Sequence, residues 1–341
     1  MLPTKKIGPE IVDLGVTSAC NHKCYFCEQH SYLRTDSHRT PETLDEEAVH
    51  QILQDCIDLH VQKITLAANG EQLLVKYIPE ILHKYSNKID FQLATNGSSL
   101  KKIDKELFSC LADLTISINA VMPFMHQLIH GYKGNEQLTE IRKDLDRILG
   151  YNGAQTKILI SYAITKDNIS EFDALMKFVE ETECRFSIRP LHLNIKELAD
   201  NNKGLSTTDV TELLDKIAIY GKTYQKNNRI RAILKNLEFS LRENERVGKK
   251  SARLGMCMFA IRTINIWSDG SVTQCTYSQT PIGNIYQNTL SEIWKSKKMR
   301  TGIFKALTMS ITQKPAYDYC RACTEQKHIK SIATKILGYL R

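Results

Sequence analysis

Three cysteines fall within eight residues, in the run Cys20-Asn-His-Lys-Cys24-Tyr-Phe-Cys27. Thiolates at C-x3-C-x2-C spacing can converge from one loop on a single metal centre. Structural zinc sites and most iron–sulfur sites use four protein ligands. Three therefore leave one coordination position open to a substrate or cofactor. A second group lies toward the C-terminus: Cys257, Cys275, Cys320 and Cys323. Four thiolates would saturate a centre, and a closing C-x2-C suits zinc and iron–sulfur equally well. Cys56, Cys110 and Cys184 stand apart and read as small buried hydrophobes. With ten cysteines grouped this way, metal ligation is favoured over a disulfide framework.

These residues need elements to position them. Short β-rich runs occur at 11–17, 63–69, 90–96, 113–120, 157–164 and 185–192. Helical patterns lie between them at 45–59, 75–86, 99–111, 136–149 and 169–183. Strand–helix alternation of this kind predicts βαβ units and a parallel sheet. Six units are fewer than the eight of a closed barrel, so the fold class expected is α/β, an open partial (β/α)6 barrel. After residue 192 the pattern changes. A helix is expected over 207–228, followed by a basic stretch, helical or linking, at 229–255. An Asp269-Gly270 turn between apolar runs at 263–267 and 272–275 predicts a hairpin. Further helices are expected over 288–306 and, basic and amphipathic, over 324–341. The expected division is a core of 1–200, a helical linker of 201–256, a small cysteine domain of 257–323 and a terminal helix of 324–341.

Composition excludes several classes. The chain has 341 residues, 42% hydrophobic and 25% charged, ordinary values for a globular protein. No uncharged apolar run reaches the roughly 20 residues that span a bilayer. The first residues lack the apolar core of a secretory signal, so a cytoplasmic location without stable membrane insertion is expected. The net charge of +8 is spread along the chain. Basic clusters with few aromatics argue against nucleic acid as a partner. Met122 to Met125 and Met256 to Met258 read as core packing.

The C-x3-C-x-aromatic-C loop after the first strand, with Phe26 as the aromatic, resembles the signature of the radical S-adenosylmethionine (SAM) superfamily. The resemblance implies that Cys20, Cys24 and Cys27 hold a [4Fe-4S] cluster whose open iron binds SAM. Reductive cleavage then gives a 5′-deoxyadenosyl radical. Asn69-Gly70-Glu71-Gln72 resembles the family's Gly-Gly-Glu-Pro motif, with Asn and Gln in place of Gly and Pro. Gly70 and Glu71 would meet the SAM amino group. Thr95-Asn96-Gly97 ends the third strand, and Ser117-Ile-Asn119 the fourth. Asn96, Ser117 and Asn119 are thereby implied as SAM contacts, with Arg189 and His192 able to reach SAM or substrate. The segment 257–323 resembles the SPASM/twitch extension. Its four cysteines fit the twitch type, in which Cys257, Cys275, Cys320 and Cys323 hold one auxiliary [4Fe-4S] cluster.

A saturated auxiliary cluster suits electron acceptance. The reaction expected is hydrogen abstraction from a small polar substrate, a sugar or cyclitol, and its oxidation. A flavodoxin- or ferredoxin-type protein would supply the first electron. Epimerisation, decarboxylation and peptide maturation are the alternatives, and a non-catalytic zinc protein is the reading outside enzymes. An epimerase would need a hydrogen-atom donor, the functional alternative for the solitary cysteines. His30, His126, His130, Tyr162 and His192 are acid–base candidates.

Overall fold

The structure, a computed structural model, describes residues 8–34, 40–132, 134, 136–151, 153, 155–191, 196–246, 254–255, 257–278, 280–316 and 320. Six parallel strands follow one another across a sheet: β1 (Ile11–Leu14), β2 (Lys63–Leu66), β3 (Asp90–Thr95), β4 (Asp113–Ser117), β5 (Lys157–Ile164) and β6 (Arg185–Pro190). The connections carry α1 (Glu46–Asp58), α2 (Ile78–Tyr85), α3 (Lys105–Ser109), α4 (Pro123–His130), α5 (Gln137–Leu149) and α6 (Phe172–Glu181). After β6 come α7 (Lys196–Asp200), α8 (Thr207–Thr223) and α9 (Asn228–Arg246), then the short α10 (Phe259–Arg262). Strands β1 and β6 do not pair, so the barrel is open. The outer edge of β1 takes β7 (Thr263–Ile266) in parallel, with Asp13 opposite Asn265. Then β8 (Ser271–Thr273) and β9 (Gly283–Asn284) extend the sheet antiparallel to nine strands. The expected partial barrel with a small C-terminal extension is present.

Side chains alternate across each strand. One face is apolar, and Val12, Leu14, Ile64, Leu66, Phe91 and Leu114 are fully buried on it. Burying each such side chain is worth about 1.5–3 kcal/mol, and this face carries the helices. The other face presents Asp13, Thr65, Gln92, Thr115, Ser161 and Ser187, all half-buried. Parallel strands covered on both faces read as continuous apolar runs. The alternation here instead marks a concave face that bounds a wet, polar lumen.

Several elements end earlier than the sequence pattern suggests. The runs 11–17, 63–69 and 113–120 stop pairing at Leu14, Leu66 and Ser117, where the backbone turns into the loops above the lumen. The stretch 99–111 is a 3-10 turn followed by α3, because Asp104 caps α3 by accepting from Leu107 N at 2.8 Å. The expected helix 288–306 is two helices, α11 (Leu290–Lys295) and α12 (Lys297–Thr312). Ser296 is extended between them, and its Oγ accepts from Met299 N at 3.1 Å, the geometry of an N-cap. Helix α4 was not expected, although Pro123 in its first turn and Gly131 just past its end are start and stop signals. Met122, which reads as core packing in the sequence, is 54% exposed because it precedes that first turn. The terminal helix 324–341 and Met256 lie outside the described residues. Among the described residues no helix is long and apolar enough to cross a membrane.

Candidate active site

The cysteine loop leaves β1 over the mouth of the lumen and is tied down by the residues that follow β2. Gln72 is fully buried. Its Oε1 accepts from Val16 N at 2.9 Å and Thr17 N at 3.3 Å, and its Nε2 donates to Thr17 O at 3.2 Å. Glu71 N donates to Ala19 O at 2.8 Å. A Cβ on Gly70 would lie 2.4 Å from Thr17 O and 2.6 Å from Ala19 O, so the approach requires glycine. The departure from the family's proline at position 72 thus has a physical content. An amide side chain satisfies three main-chain groups that a proline could not.

The three thiols of this loop lie close together. Burial first, and then the nearby Glu71 and Cys27, push the Cys20 thiol up to about 11. Burial, Cys27 and Cys20 push Cys24 well above the ordinary thiol range, and burial raises Cys27. Convergent buried thiols that resist ionisation need a cation to hold them as thiolates. Main-chain amides already face two of the sulfurs: His22 N lies 3.5 Å from Cys20 Sγ, and His30 N lies 3.4 Å from Cys27 Sγ. This donor set fits a three-thiolate iron–sulfur centre. The His30 imidazole bridges Ser18 O and Asn69 O, at 2.8 and 3.0 Å, and pins the loop from beyond Cys27.

The strand ends carry the other expected residues. Glu71 is 2% exposed. It accepts from Thr95 Oγ1 at 2.9 Å, Asn96 N at 2.7 Å and Leu73 N at 3.3 Å. Burial still raises its carboxyl, against those hydrogen bonds. Its shown partners are the ends of β3 and its own turn. Asn96 Nδ2 donates to Asn21 Oδ1 at 2.9 Å and lies 3.8 Å from Cys20 Sγ. Asn119 Oδ1 accepts from Ala163 N at 2.8 Å. Ser117 sits in register with Ser161 on the lumen face. Phe26 and Arg189 meet at a cavity of about 240 Å³, with Ser161, Ala163 and Ser187 in its wall. His192 lies outside the described residues.

Three of the acid–base candidates are buried. His126 and His130 are 0% and 1% exposed, and Tyr162 is on the apolar face at 1%. Burial pushes His126 down to about 3 and His130 well below the ordinary imidazole range. The sequence reading missed Asp13. It lies on the lumen face of β1, and burial pushes its carboxyl up to about 6, against a hydrogen bond from Thr65. With its amide nitrogen toward Asp13, Asn265 donates to Asp13 Oδ2 at 3.1 Å and to Thr276 Oγ1 at 2.9 Å. A lone polar residue among Ile11, Val12 and Leu14 was the available signal. His22, also missed, contacts His130 and Gln137 beneath the cysteine loop.

In the C-terminal segment, Cys257, Cys275 and Cys320 come together. Burial pushes Cys275 up to about 11, and Cys257 and Cys320 add to it as like charges. Cys257 and Cys320 are buried in one apolar cluster with Ile261, Ala306 and Leu307. Cys323 lies outside the described residues. Because β7 pairs with β1, this cluster hangs from the same sheet edge as Asp13. Cys56 and Cys184 are buried in the fold, and Cys110 Sγ lies 3.4 Å from His83 Nδ1 at the end of α3.

Comparison with known proteins agrees with this arrangement. The radical SAM superfamily pattern matches residues 14–179, and that of an iron–sulfur cluster-binding domain, SPASM, matches 257–324. A GTP 3′,8-cyclase from Tolumonas auensis is 28% identical over 47% of this chain. The chain spans 47%, 35% and 63% of the length of the first three such relatives. Among solved structures, anSMEcpe with bound AdoMet aligns over 97% of this chain and 92% of its own, at a TM-score of 0.62 and 17% identity. BtrN in complex with AdoMet and 2-DOIA aligns over 95% and 97%, at 0.52 and 13%. At such identity these likenesses concern the fold. The two patterns, with the sheet and the two thiol groups they fall on, place this chain in the radical SAM superfamily, with a C-terminal SPASM iron–sulfur cluster-binding domain.

Proposed function

We propose that this enzyme generates a 5′-deoxyadenosyl radical at Cys20, Cys24 and Cys27 and oxidises a small, hydroxyl-bearing polar substrate held in the lumen. The observation that carries the reading is the polar concave face, which runs from below the cysteine loop to the seam with β7. When bound there, a [4Fe-4S] cluster would supply the electron that cleaves SAM to methionine and a radical able to remove a hydrogen atom from substrate carbon. The chain's own residues do the rest. Thr65, Gln92, Thr115, Ser161 and Ser187 offer hydrogen bonds to hydroxyl groups, and Phe26 with Arg189 walls the space beside them. A carbinol radical becomes a ketone by losing one proton and one electron. Asp13, raised toward neutrality by burial, takes the proton. Cys257, Cys275 and Cys320, with Cys323, would hold an auxiliary cluster able to accept the electron, and a flavodoxin- or ferredoxin-type donor would restore the first one.

A second reading has one observation in its favour. Arg185 and Arg189 both line a cavity of about 600 Å³ between β6 and α9. A guanidinium pair suits a phosphorylated substrate, and the curated relatives are named for a reaction of GTP. Incubation of the reduced holoenzyme with deuterated sugars and cyclitols, nucleotides or peptides separates the two. Deuterium recovered in 5′-deoxyadenosine from a sugar or cyclitol is the expected result. Transfer from a nucleotide or a peptide alone overturns the first reading.

A further inference from the structure

We propose that His130 donates its Nδ1–H to the sulfur of Cys24 and thereby raises the reduction potential of the SAM-binding cluster. The inference goes beyond the proposed reaction and rests on that reading's assignment of Cys24 as a cluster ligand. The His130 Nδ1 atom lies 3.3 Å from Cys24 Sγ. Which nitrogen carries the proton follows from the neighbours on both sides. Asn119 Oδ1 is committed to Ala163 N at 2.8 Å, so its Nδ2 is the group facing His130 Nε2 at 3.3 Å. An amide NH₂ only donates, so Nε2 accepts and the proton of a neutral imidazole sits on Nδ1.

The far end agrees. His22 Nε2 lies 2.9 Å from Gln137 Oε1, an acceptor, and so carries the His22 proton. His22 Nδ1 is then an acceptor, 3.2 Å from His130 Nδ1. The His130 proton is therefore shared between His22 Nδ1 and Cys24 Sγ, and both ends of the relay set the same tautomer. The ring is held there. It stacks on His126 at 4.1 Å between centroids and meets His22 edge-on at 5.1 Å. His126 is in turn fixed by Tyr132 Oη at 2.8 Å.

A hydrogen bond to a ligating sulfur favours the more electron-rich, reduced cluster. His130 acts through Cys24 and is a positioning residue. The relay has a consequence for Asn119, since any contact that turns its amide would compete with the proton placement on His130.

The test is an EPR-monitored redox titration of the reconstituted holoenzyme, following the signal that changes when SAM is added. His130→Phe removes the donor, and His130→Asn keeps an amide N–H near the Nδ1 position. The expected result is that His130→Phe lowers the reduction equilibrium constant about tenfold, about 59 mV for one electron, while His130→Asn stays near wild type. An unshifted His130→Phe with full iron, or equal shifts in both variants, overturns the proposal. Should His130→Phe fail to hold iron, pulsed EPR of wild type with imidazole-¹⁵N histidine decides. A ring nitrogen coupled to the reduced cluster supports the bond, and its absence rejects it. Ring labelling leaves out the main-chain amides of His22 and His30. Failure of the underlying reading would look different: Cys24→Ala would retain the SAM-dependent signal.

Discussion

Gln72 and Val16 are 56 residues apart, yet the buried Gln72 Oε1 accepts the Val16 main-chain N–H at 2.9 Å. That bond, with its companions to Thr17, fixes where β1 ends and the cysteine loop begins. Replacement Gln72→Leu keeps the volume and strands the amides of Val16 and Thr17. Each buried unmet donor costs about 1–3 kcal/mol, so a loss of about 2–6 kcal/mol is expected in urea unfolding. The variant should also reconstitute less iron at the N-terminal site. Unchanged stability and iron content would show that the loop is held by other means.

Asp13 gives a pH-dependent prediction. Its carboxyl is raised in the folded chain, from about 3.8 to about 6. A raised carboxyl binds protons more tightly when folded, so it costs stability as pH rises from about 4 to about 6, and the cost persists above that. The full shift corresponds to up to about 3 kcal/mol. Asp13→Asn should therefore raise the melting temperature at pH 7.5 and leave it little changed at pH 4. It should also remove substrate oxidation while 5′-deoxyadenosine formation continues. Wild-type turnover should fall with acid through a limb near pH 6. A variant that keeps turnover and that limb places the proton acceptor elsewhere.

The two thiol groups make separable claims about iron. Wild type should bind about eight irons, as two four-iron clusters. The Cys20/Cys24/Cys27→Ala variant should keep about four and lose SAM cleavage, and Cys257/Cys275/Cys320→Ala should keep the other four and still cleave SAM. Iron and sulfide assay with product chromatography checks this. Zinc at the second site would remove the electron acceptor from the proposed oxidation.

Gly131 and Gly221 should respond oppositely to alanine. Gly131 ends α4 at φ 61°, and a Cβ there would lie 2.6 Å from Lys23 O in the cysteine loop. The left-handed conformation alone costs about 1–2 kcal/mol with a side chain, and the contact adds to it. Gly221 lies within α8 with nothing near its Cβ position. There alanine should stabilise by about 0.5–1 kcal/mol. Thermal denaturation of both variants measures the contrast. Equal effects would mean that the α4 turn does not press on the loop.

Much of this molecule could be read along the chain. Alternating periodicities located all six core strands, because strand and helix patterns are local. Element ends were less legible, since Asp104 and Ser296 act as caps through hydrogen bonds that periodicity does not contain. The cysteine loop announced itself by spacing, and Gly70 and Glu71 by their place after β2. The structure shows what they brace within the chain. Glu71 braces β3, and Gln72, noted as a departure, holds the loop.

By itself the sequence determined the class of chemistry and the strand–helix order, because ligand spacing and hydrophobic period are properties of neighbouring residues. The tertiary structure decided the rest. It made the polar residues of six separate strands into one concave wall, a matter of register between chains of hydrogen bonds. It set Asp13 against Asn265 by pairing β1 with β7. It brought His130 to Cys24 across 106 residues. Such contacts depend on where the backbone returns, and no local pattern carries that distance.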